Sequence, residues 1–210
     1  MSHQIELVAF DLGNVLCRVN EIPASKIFAD LSNRPWQEAR EIVFGQKQKN
    51  KFERNQITFN EHAVHALDAL GINMGLQEFI ELYDSVLVPS EEMYPLVEAL
   101  AKQIRIALVS NTSEPHWNWA DRTLPFSSKF DPVITSYTVK TMKPELDFYN
   151  ALLNQSGVAA KNILFIDDIP ENILSARQMG IRGHQFIDKH SLEQHLQVLG
   201  ITSASLTIRR

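Results

Sequence analysis

Carboxylate side chains follow two short apolar segments that lie far apart in the sequence. Asp11 follows residues 5–10, and the adjacent pair Asp167 and Asp168 follows residues 163–166. Two neighbouring carboxylates repel each other unless a cation or a proton neutralises them, and Mg²⁺ prefers carboxylate oxygens and water as ligands. These residue types therefore predict a divalent-metal site. A solvated acidic turn, or capping of the next helix by Asp168, is the structural alternative.

Polar and cationic groups at two further positions are suited to binding an anion. Ser110 and Asn111 follow the apolar residues 104–109, and Lys143 precedes Pro144 at the predicted start of a helix. Backbone N–H groups and a single lysine can hold a phosphate even on an acidic protein. A helix N-cap and a solvated lysine are the structural alternatives for these residues.

The elements that position these groups follow from an alternation of apolar segments with helical patterns. The predicted strands cover residues 5–10, 104–109, 132–135, 163–166 and 184–187. The predicted helices between them cover residues 91–102, 114–122, 144–154, 170–179 and 191–199. Such alternation is typical of an α/β fold whose parallel sheet has helices on both faces. Because ligands bind at the carboxyl ends of the strands in these sheets, the polar groups are expected to meet in one crevice.

The stretch after the first strand has a different pattern, with helical periodicity and no predicted strand. Thr58 is followed three residues later by a glutamate, which is the spacing of a capping box, and Gly71 suits the end of that helix. We therefore predict a Rossmann-like core domain of residues 1–17 and 89–210. A small all-helical cap of residues 18–88 is expected as an insertion between its two parts.

Four segments resemble the four motifs of the haloacid dehalogenase (HAD) superfamily, in the same order. They are FDLGNVL at residues 10–16, LVSNT at 108–112, MKPELDFY at 142–149 and FIDDIPENI at 165–173. Each motif is weak alone, but the four together give a resemblance over almost the whole chain. The first and fourth motifs look closest to those of bacterial α-glucose 1-phosphate phosphatases and of the N-terminal phosphatase domain of soluble epoxide hydrolase.

The resemblance implies a hydrolase in which Asp11 is the nucleophile and forms an aspartyl-phosphate intermediate that water then hydrolyses. The implied ligands of Mg²⁺ are Asp11, the backbone carbonyl oxygen of Gly13, Asp167 and Asp168. The residues implied in binding the phosphoryl group are Ser110, Asn111 and Lys143. Lys143 is also expected to neutralise the nucleophile as a point charge.

The first motif departs from the usual phosphatase pattern at Gly13. Phosphatases of the superfamily usually have a second aspartate at this position, which protonates the leaving alcohol and then activates water. General acid–base catalysis contributes about 10²–10⁴-fold, so the loss matters. Three interpretations stay open: a phosphatase with a substituted acid, a 2-haloacid dehalogenase with the same nucleophile, and a catalytically weak phosphate-binding protein. The pair Asp167 and Asp168 favours the phosphatase, because displacing halide from carbon needs no Mg²⁺.

Composition and charge narrow the class of partner. The net charge of −5 disfavours duplex nucleic acid, and no apolar run approaches the roughly 20 residues that span a membrane. A single cysteine, Cys17, and the lack of a recognisable signal peptide predict a cytoplasmic protein. A cap over the strand ends favours small phosphorylated metabolites, sugar phosphates first, in a monomer or homodimer. The short basic run of lysines at 47, 49 and 51 is expected to lie on a solvated surface.

Overall fold

Seven short strands occur in the part of the chain that the computed structural model describes, residues 4–201. They are β1 (Leu7–Phe10), β2 (Cys17–Val19), β3 (Leu87–Pro89), β4 (Arg105–Ser110), β5 (Phe130–Thr135), β6 (Ile163–Asp167) and β7 (Arg182–Gln185). Five of them form a parallel sheet in the order β5-β4-β1-β6-β7. Because β1 lies between β4 and β6, the carboxyl ends of these three strands meet at the centre of one sheet edge.

Eleven helices accompany these strands within residues 4–201. They are α1 (Ile22–Ser32), α2 (Trp36–Phe44), α3 (Gln46–Phe52), α4 (Phe59–Leu70), α5 (Leu76–Asp84), α6 (Tyr94–Ala101), α7 (Glu114–Thr123), α8 (Ser136–Val139), α9 (Leu146–Ser156), α10 (Pro170–Gln178) and α11 (Lys189–Val198). Short 3-10 turns cover Glu91–Met93, Ser127–Lys129 and Ala160–Asn162.

Helices cover both faces of the parallel sheet. Side chains alternate along each strand, so each strand contributes apolar residues to both faces. Val8 and Phe10 of β1 belong to a core that also contains buried residues of α6 and α11. Leu7 and Ala9 face the opposite side, where they join buried residues of α9 and α10. The Rossmann-like architecture predicted from the sequence is confirmed.

Five helices, α1 to α5, follow β2 and form what we call the helical segment, residues 22–84. Its interior is aromatic, and ring pairs such as Phe44 with Tyr83 and Phe28 with Phe79 have centroids 5.3 Å apart. Its buried side chains belong to the same core as Val8 and Phe10 of β1. The helical segment therefore packs continuously with one side of the sheet.

Two helices of the structure differ from the sequence-based expectations. The expected helix from Pro144 begins two residues later, at Leu146, because Glu145 has extended backbone angles. The short helix α8 follows β5 directly and was not expected. Residues 1–3 and 202–210, which the prediction assigns to the core domain, lie outside the described residues.

A two-stranded antiparallel ribbon was also missed, because the sequence predicts no strand within residues 18–88. Strands β2 and β3 pair through Cys17 with Pro89 and Val19 with Leu87. This ribbon lies where the chain leaves β1 and where it returns from the helical segment. The boundaries predicted at 17/18 and 88/89 fall inside its two strands.

The capping box that begins α4 carries a testable prediction. The backbone N–H of Glu61 donates to Thr58 Oγ1 at 3.1 Å, and the Glu61 carboxylate accepts the Thr58 backbone N–H at 2.7 Å. We expect Thr58→Ala to lower the free energy of unfolding by about 1 kcal/mol, because the Glu61 backbone N–H loses its acceptor. Urea denaturation measures this loss. Thr58→Ser retains the capping oxygen and should stay close to wild type.

Candidate active site

A buried lysine connects the ends of β1 and β6 at the carboxyl edge of the sheet. Lys143 Nζ lies 2.9 Å from Asp11 Oδ1 and 2.6 Å from Asp167 Oδ2, and it donates to the Val109 carbonyl oxygen at 3.0 Å. The Lys143 side chain is 1% exposed and that of Asp167 is fully buried. The ammonium group therefore has three oxygen partners from three neighbouring strands.

The Asp167 carboxylate is almost fully occupied by hydrogen bonds within the protein. Asn172 Nδ2 donates to both of its oxygens at 3.0 Å, and the Ile169 backbone N–H donates to Oδ1 at 2.8 Å. Together with the one from Lys143 this makes four hydrogen bonds, from three donor groups, to one carboxylate. Asp167 is thus held rigidly, and α10 supplies the amide that orients it.

The side chain of Asn111 is bound to the backbone of Lys143, which is not the contact expected of a phosphate-binding side chain. Its Nδ2 donates to the Lys143 carbonyl oxygen at 2.9 Å, and its Oδ1 accepts the Lys143 backbone N–H at 2.8 Å. The amide therefore joins the end of β4 to the loop before α9. The contact fixes the backbone that carries the Lys143 ammonium group.

Asp168 is partly exposed and is oriented by the loop that follows β1. Asn14 Nδ2 donates to Asp168 Oδ2 at 3.0 Å, and Asn14 adopts a left-handed conformation with φ of 54°. Asparagine tolerates this region better than most residues, which explains its place in the turn. Asn14 therefore orients Asp168, a role that the sequence-based prediction did not assign to it.

Three carboxylates form a cluster at this edge. One oxygen each of Asp11, Asp167 and Asp168 lies within 4.8 Å of the others. If all three are ionised, Lys143 offsets only one of three negative charges. The donor set fits Mg²⁺, which prefers carboxylate oxygens and would supply the missing positive charge.

The Asp11 carboxyl group is placed where ionisation is difficult in the metal-free protein. Burial raises its pKa to about 7, Lys143 opposes this rise, and the charge of Asp167 adds to it. Burial would lower the pKa of Lys143, but the two carboxylates outweigh burial and raise it above its ordinary value. Asp11 and Asp167 share the single positive charge of Lys143, so this charge offsets the effect of burial on Asp11 only in part.

A cavity of about 600 Å³ opens above these residues, between the sheet edge and the helical segment. The sheet side contributes Asp11, Gly13, Asn111, Lys143 and Asp168, and the helical segment contributes Gln46, Lys49, Asn50, Glu53 and Arg54. A smaller cavity of about 100 Å³ reaches Ser110, which is 2% exposed at the end of β4. The structure thus brings all seven predicted site residues to one edge, with Asp167 behind the cavity wall.

Beside the larger cavity, an ion pair between Arg54 and Glu145 connects the helical segment to the core of the protein. Arg54 Nη1 donates to Glu145 Oε2 at 2.9 Å, and its Nη2 pairs with the other carboxylate oxygen. This fork lies between the helical segment and the start of α9. The contact is partly exposed, so it contributes mainly to the position of the helical segment and little to stability.

Comparison with known proteins places the chain in a family. The model of the haloacid dehalogenase-like hydrolases matches residues 5–180. A sesquiterpene phosphatase of Aspergillus oryzae is 25% identical over 194 residues, which cover 85% of this chain and 88% of the relative. A drimenol cyclase of Aspergillus calidoustus is 28% identical over 93 residues, which cover 44% of this chain and only 18% of that longer protein.

Solved structures share the fold. An enzyme of the same family from Bacteroides thetaiotaomicron, in complex with magnesium and inorganic phosphate, has a TM-score of 0.78 and 23% identity, covering 90% of this chain and 98% of that chain. The L-2-haloacid dehalogenase of Xanthobacter autotrophicus has a TM-score of 0.63 and 15% identity, covering 95% and 85%. Within residues 4–201, no helix has the length and apolar character needed to cross a membrane.

Proposed function

Because the chain belongs to the haloacid dehalogenase-like hydrolases, we propose that it is a Mg²⁺-dependent phosphatase of small phosphorylated metabolites, sugar phosphates first. The observation that carries this proposal is the cluster of Asp11, Asp167 and Asp168, of which the first two share the ammonium group of Lys143. A doubled carboxylate beside the nucleophile repels an anionic substrate unless a divalent cation is present. The cluster therefore fits a metal-assisted reaction better than a metal-free one.

Asp11 is the proposed nucleophile, and it attacks phosphorus to form an aspartyl-phosphate that water hydrolyses. Lys143 holds the carboxylate of Asp11 in place and adds positive charge beside the transferring phosphoryl group. Ser110 and the backbone N–H of Asn111 are proposed to bind phosphoryl oxygens. The Asn111 side chain acts through Lys143, whose backbone it holds.

Asp11, Asp168 and the carbonyl oxygen of Gly13 are the proposed direct ligands of Mg²⁺. Both oxygens of Asp167 already accept hydrogen bonds, so Asp167 contributes its charge beside the metal and orients Lys143. A bound Mg²⁺ supplies charge neutralisation between the anionic nucleophile and the anionic substrate.

The walls of the larger cavity support a small and hydrophilic substrate. We propose that residues 18–88 act as a cap on a core domain of residues 1–17 and 89–210. The wall from this cap carries hydrogen-bonding or charged groups, at Gln46, Lys49, Asn50, Glu53 and Arg54. These groups suit sugar hydroxyls better than the terpenoid chain suggested by the name of the Aspergillus oryzae relative.

A screen of phosphorylated metabolites with Mg²⁺ tests the substrate class. We expect phosphate release from sugar phosphates with a higher kcat/KM than from a prenyl phosphate. A preference for the prenyl phosphate would contradict the sugar assignment and leave the phosphatase proposal standing. Release of halide from 2-haloacids without metal, and no phosphate from any substrate, would instead favour the dehalogenase alternative. Phosphate binding without turnover would favour the alternative of a catalytically weak phosphate-binding protein.

Metal binding by Asp168 gives a prediction that does not depend on turnover. A ligand that binds only the folded state stabilises it by about 2.7 kcal/mol at a concentration of 100 times Kd. We expect Mg²⁺ to stabilise the wild-type protein against urea, and Asp168→Asn to reduce this effect because a charged ligand is lost. Asp30→Asn, an exposed change on α1, is the matched control. An equal Mg²⁺ effect in Asp168→Asn and wild type would contradict the assignment of this ligand.

A further inference from the structure

Glu53 is a buried carboxyl group that the mechanism above does not use. It follows α3 directly in the helical segment and is 7% exposed. Within residues 4–201, its carboxyl group forms no hydrogen bond or ion pair, and its side chain lines the larger cavity. Its carboxyl oxygens are not among the buried atoms that lack a partner, so they reach the open space of the cavity, where a substrate or a water molecule can meet them.

The position of Glu53 relates it directly to the proposed nucleophile. Glu53 lines the larger cavity together with Asp11 and Lys143, and it also lines the smaller cavity that reaches Ser110. Gly13 lines both cavities as well. Glu53 therefore faces, from the helical segment, the space above the residue where the second aspartate of related phosphatases is missing.

The backbone at Gly13 does not itself require glycine. A Cβ atom built there would lie 3.4 Å from Val19 Cγ2, which is an ordinary contact distance, and Gly13 is not among the residues with positive φ. The lack of a carboxyl group at Gly13 is therefore not enforced by crowding. A carboxyl group that enters the same space from the opposite wall can take over its role.

We propose that Glu53 is the general acid and base of this enzyme, an inference that rests on the proposed phosphatase function. In the first step Asp11 attacks phosphorus, the bond from phosphorus to the leaving oxygen breaks, and the Glu53 carboxylic acid gives its proton to that oxygen. In the second step the Glu53 carboxylate takes a proton from water as its oxygen attacks phosphorus. The bond from phosphorus to Asp11 then breaks, which returns the Asp11 carboxylate, the protonated Glu53 and free phosphate.

The electrostatic environment supports this role. Burial raises the pKa of Glu53 to about 7, and Lys49 opposes the rise from the same helix. Asp11 from β1 and Glu21 before α1 raise the pKa further, whereas Lys143 lowers it. A general acid and base works best when its pKa lies near the working pH, because both protonation states are then accessible.

Glu53→Gln with two kinds of leaving group tests the inference on the full-length protein. An alkyl phosphate needs a proton on its leaving oxygen, whereas p-nitrophenolate leaves without one. We expect kcat/KM for glycerol phosphate or a sugar phosphate to fall by about 10²–10⁴-fold. The first turnover of p-nitrophenyl phosphate should fall by less than about tenfold, and phosphorylated protein should accumulate because its hydrolysis has lost the base.

Matched variants separate this role from a structural one. Glu78→Gln makes the same change on the exposed surface of α5 and should leave the rates of hydrolysis of both substrates unchanged. Glu53→Asp keeps the carboxyl group but withdraws it by one methylene. Its rate should therefore fall by less than that of Glu53→Gln. As in Glu53→Gln, the fall should be larger for the alkyl phosphate than for p-nitrophenyl phosphate.

Two results would overturn the inference in distinguishable ways. If wild type is active, Asp11→Asn is inactive, and Glu53→Gln lowers the first-turnover rate equally for both substrates or for neither, Glu53 is not the acid and the phosphatase function stands. If wild type hydrolyses neither substrate with Mg²⁺, the proposed function fails and the role of Glu53 fails with it. We expect a much larger first-turnover loss for the alkyl phosphate than for p-nitrophenyl phosphate, together with accumulated phosphorylated protein.

Discussion

Replacing Asp11 with asparagine is expected to remove phosphatase activity, with kcat lowered by about 10⁴-fold or more, as for the loss of other enzymatic nucleophiles. An amide nitrogen and a neutral amide oxygen cannot form the covalent intermediate. The stability of the folded state should not decrease. Burial raises the pKa of Asp11 to about 7, so ionising Asp11 costs more free energy in the folded protein than in the unfolded chain. Removing the charge therefore should leave the free energy of unfolding at pH 8 at least as high as in wild type.

The measurement pairs steady-state kinetics with urea denaturation of the same preparations. Asp30→Asn on the exposed face of α1 controls for the chemical change and should retain wild-type activity. Wild-type turnover in Asp11→Asn would contradict the assignment of the nucleophile. A large loss of stability at pH 8 would instead show that the Asp11 carboxylate stabilises the fold, contrary to the effect of its burial.

Replacing Lys143 with methionine is expected to produce the largest loss of stability of any single change at this site. The ammonium group is the shared partner of Asp11 and Asp167, and the Lys143 side chain is 1% exposed. Removing one partner of a buried ion pair costs about 3–5 kcal/mol, because the remaining charge stays buried without compensation. Because burial raises the pKa of Asp11 to about 7, the loss should increase with pH as Asp11 ionises and shrink in acid as it takes up a proton.

Urea denaturation of Lys143→Met between about pH 6 and pH 8 measures this effect. The double variant Lys143→Met with Asp167→Asn removes one uncompensated charge and should recover part of the stability. Lys129→Met, on an exposed turn, should stay close to wild type. Stability of Lys143→Met that is within about 0.5 kcal/mol of wild type at every pH would contradict the buried ion-pair description.

Much of the fold and the position of the site follow from local sequence features. Apolar runs that end in Asp11 and Asp167 predict buried parallel strands, and parallel strands present their carboxyl ends at one edge. The capping box at Thr58 was recognised because its two residues are only three positions apart. The ribbon of β2 and β3 was missed because strands of three residues are too short to show a period.

Details that depend on packing between distant segments were not predictable in the same way. Asn111 has the residue type of a phosphate ligand, yet its side chain holds the backbone of Lys143, 32 positions later. Lys49 was expected on a solvated surface, but it is half-buried, pairs with Glu21 and lines the larger cavity. Glu53 belongs to no local motif, and its importance depends on how the helical segment packs above the sheet.

The central claim, covalent transfer to Asp11, is tested most directly by trapping the intermediate. Wild-type protein with Mg²⁺ is mixed with ³²P-labelled p-nitrophenyl phosphate, quenched in acid within the first turnover and digested into peptides. An aryl phosphate is suited to this test because its leaving group departs easily. We predict label on the peptide that contains Asp11, in wild type and not in Asp11→Asn. Release of labelled phosphate at the wild-type rate, without any labelled peptide in the first turnover, would contradict the claim.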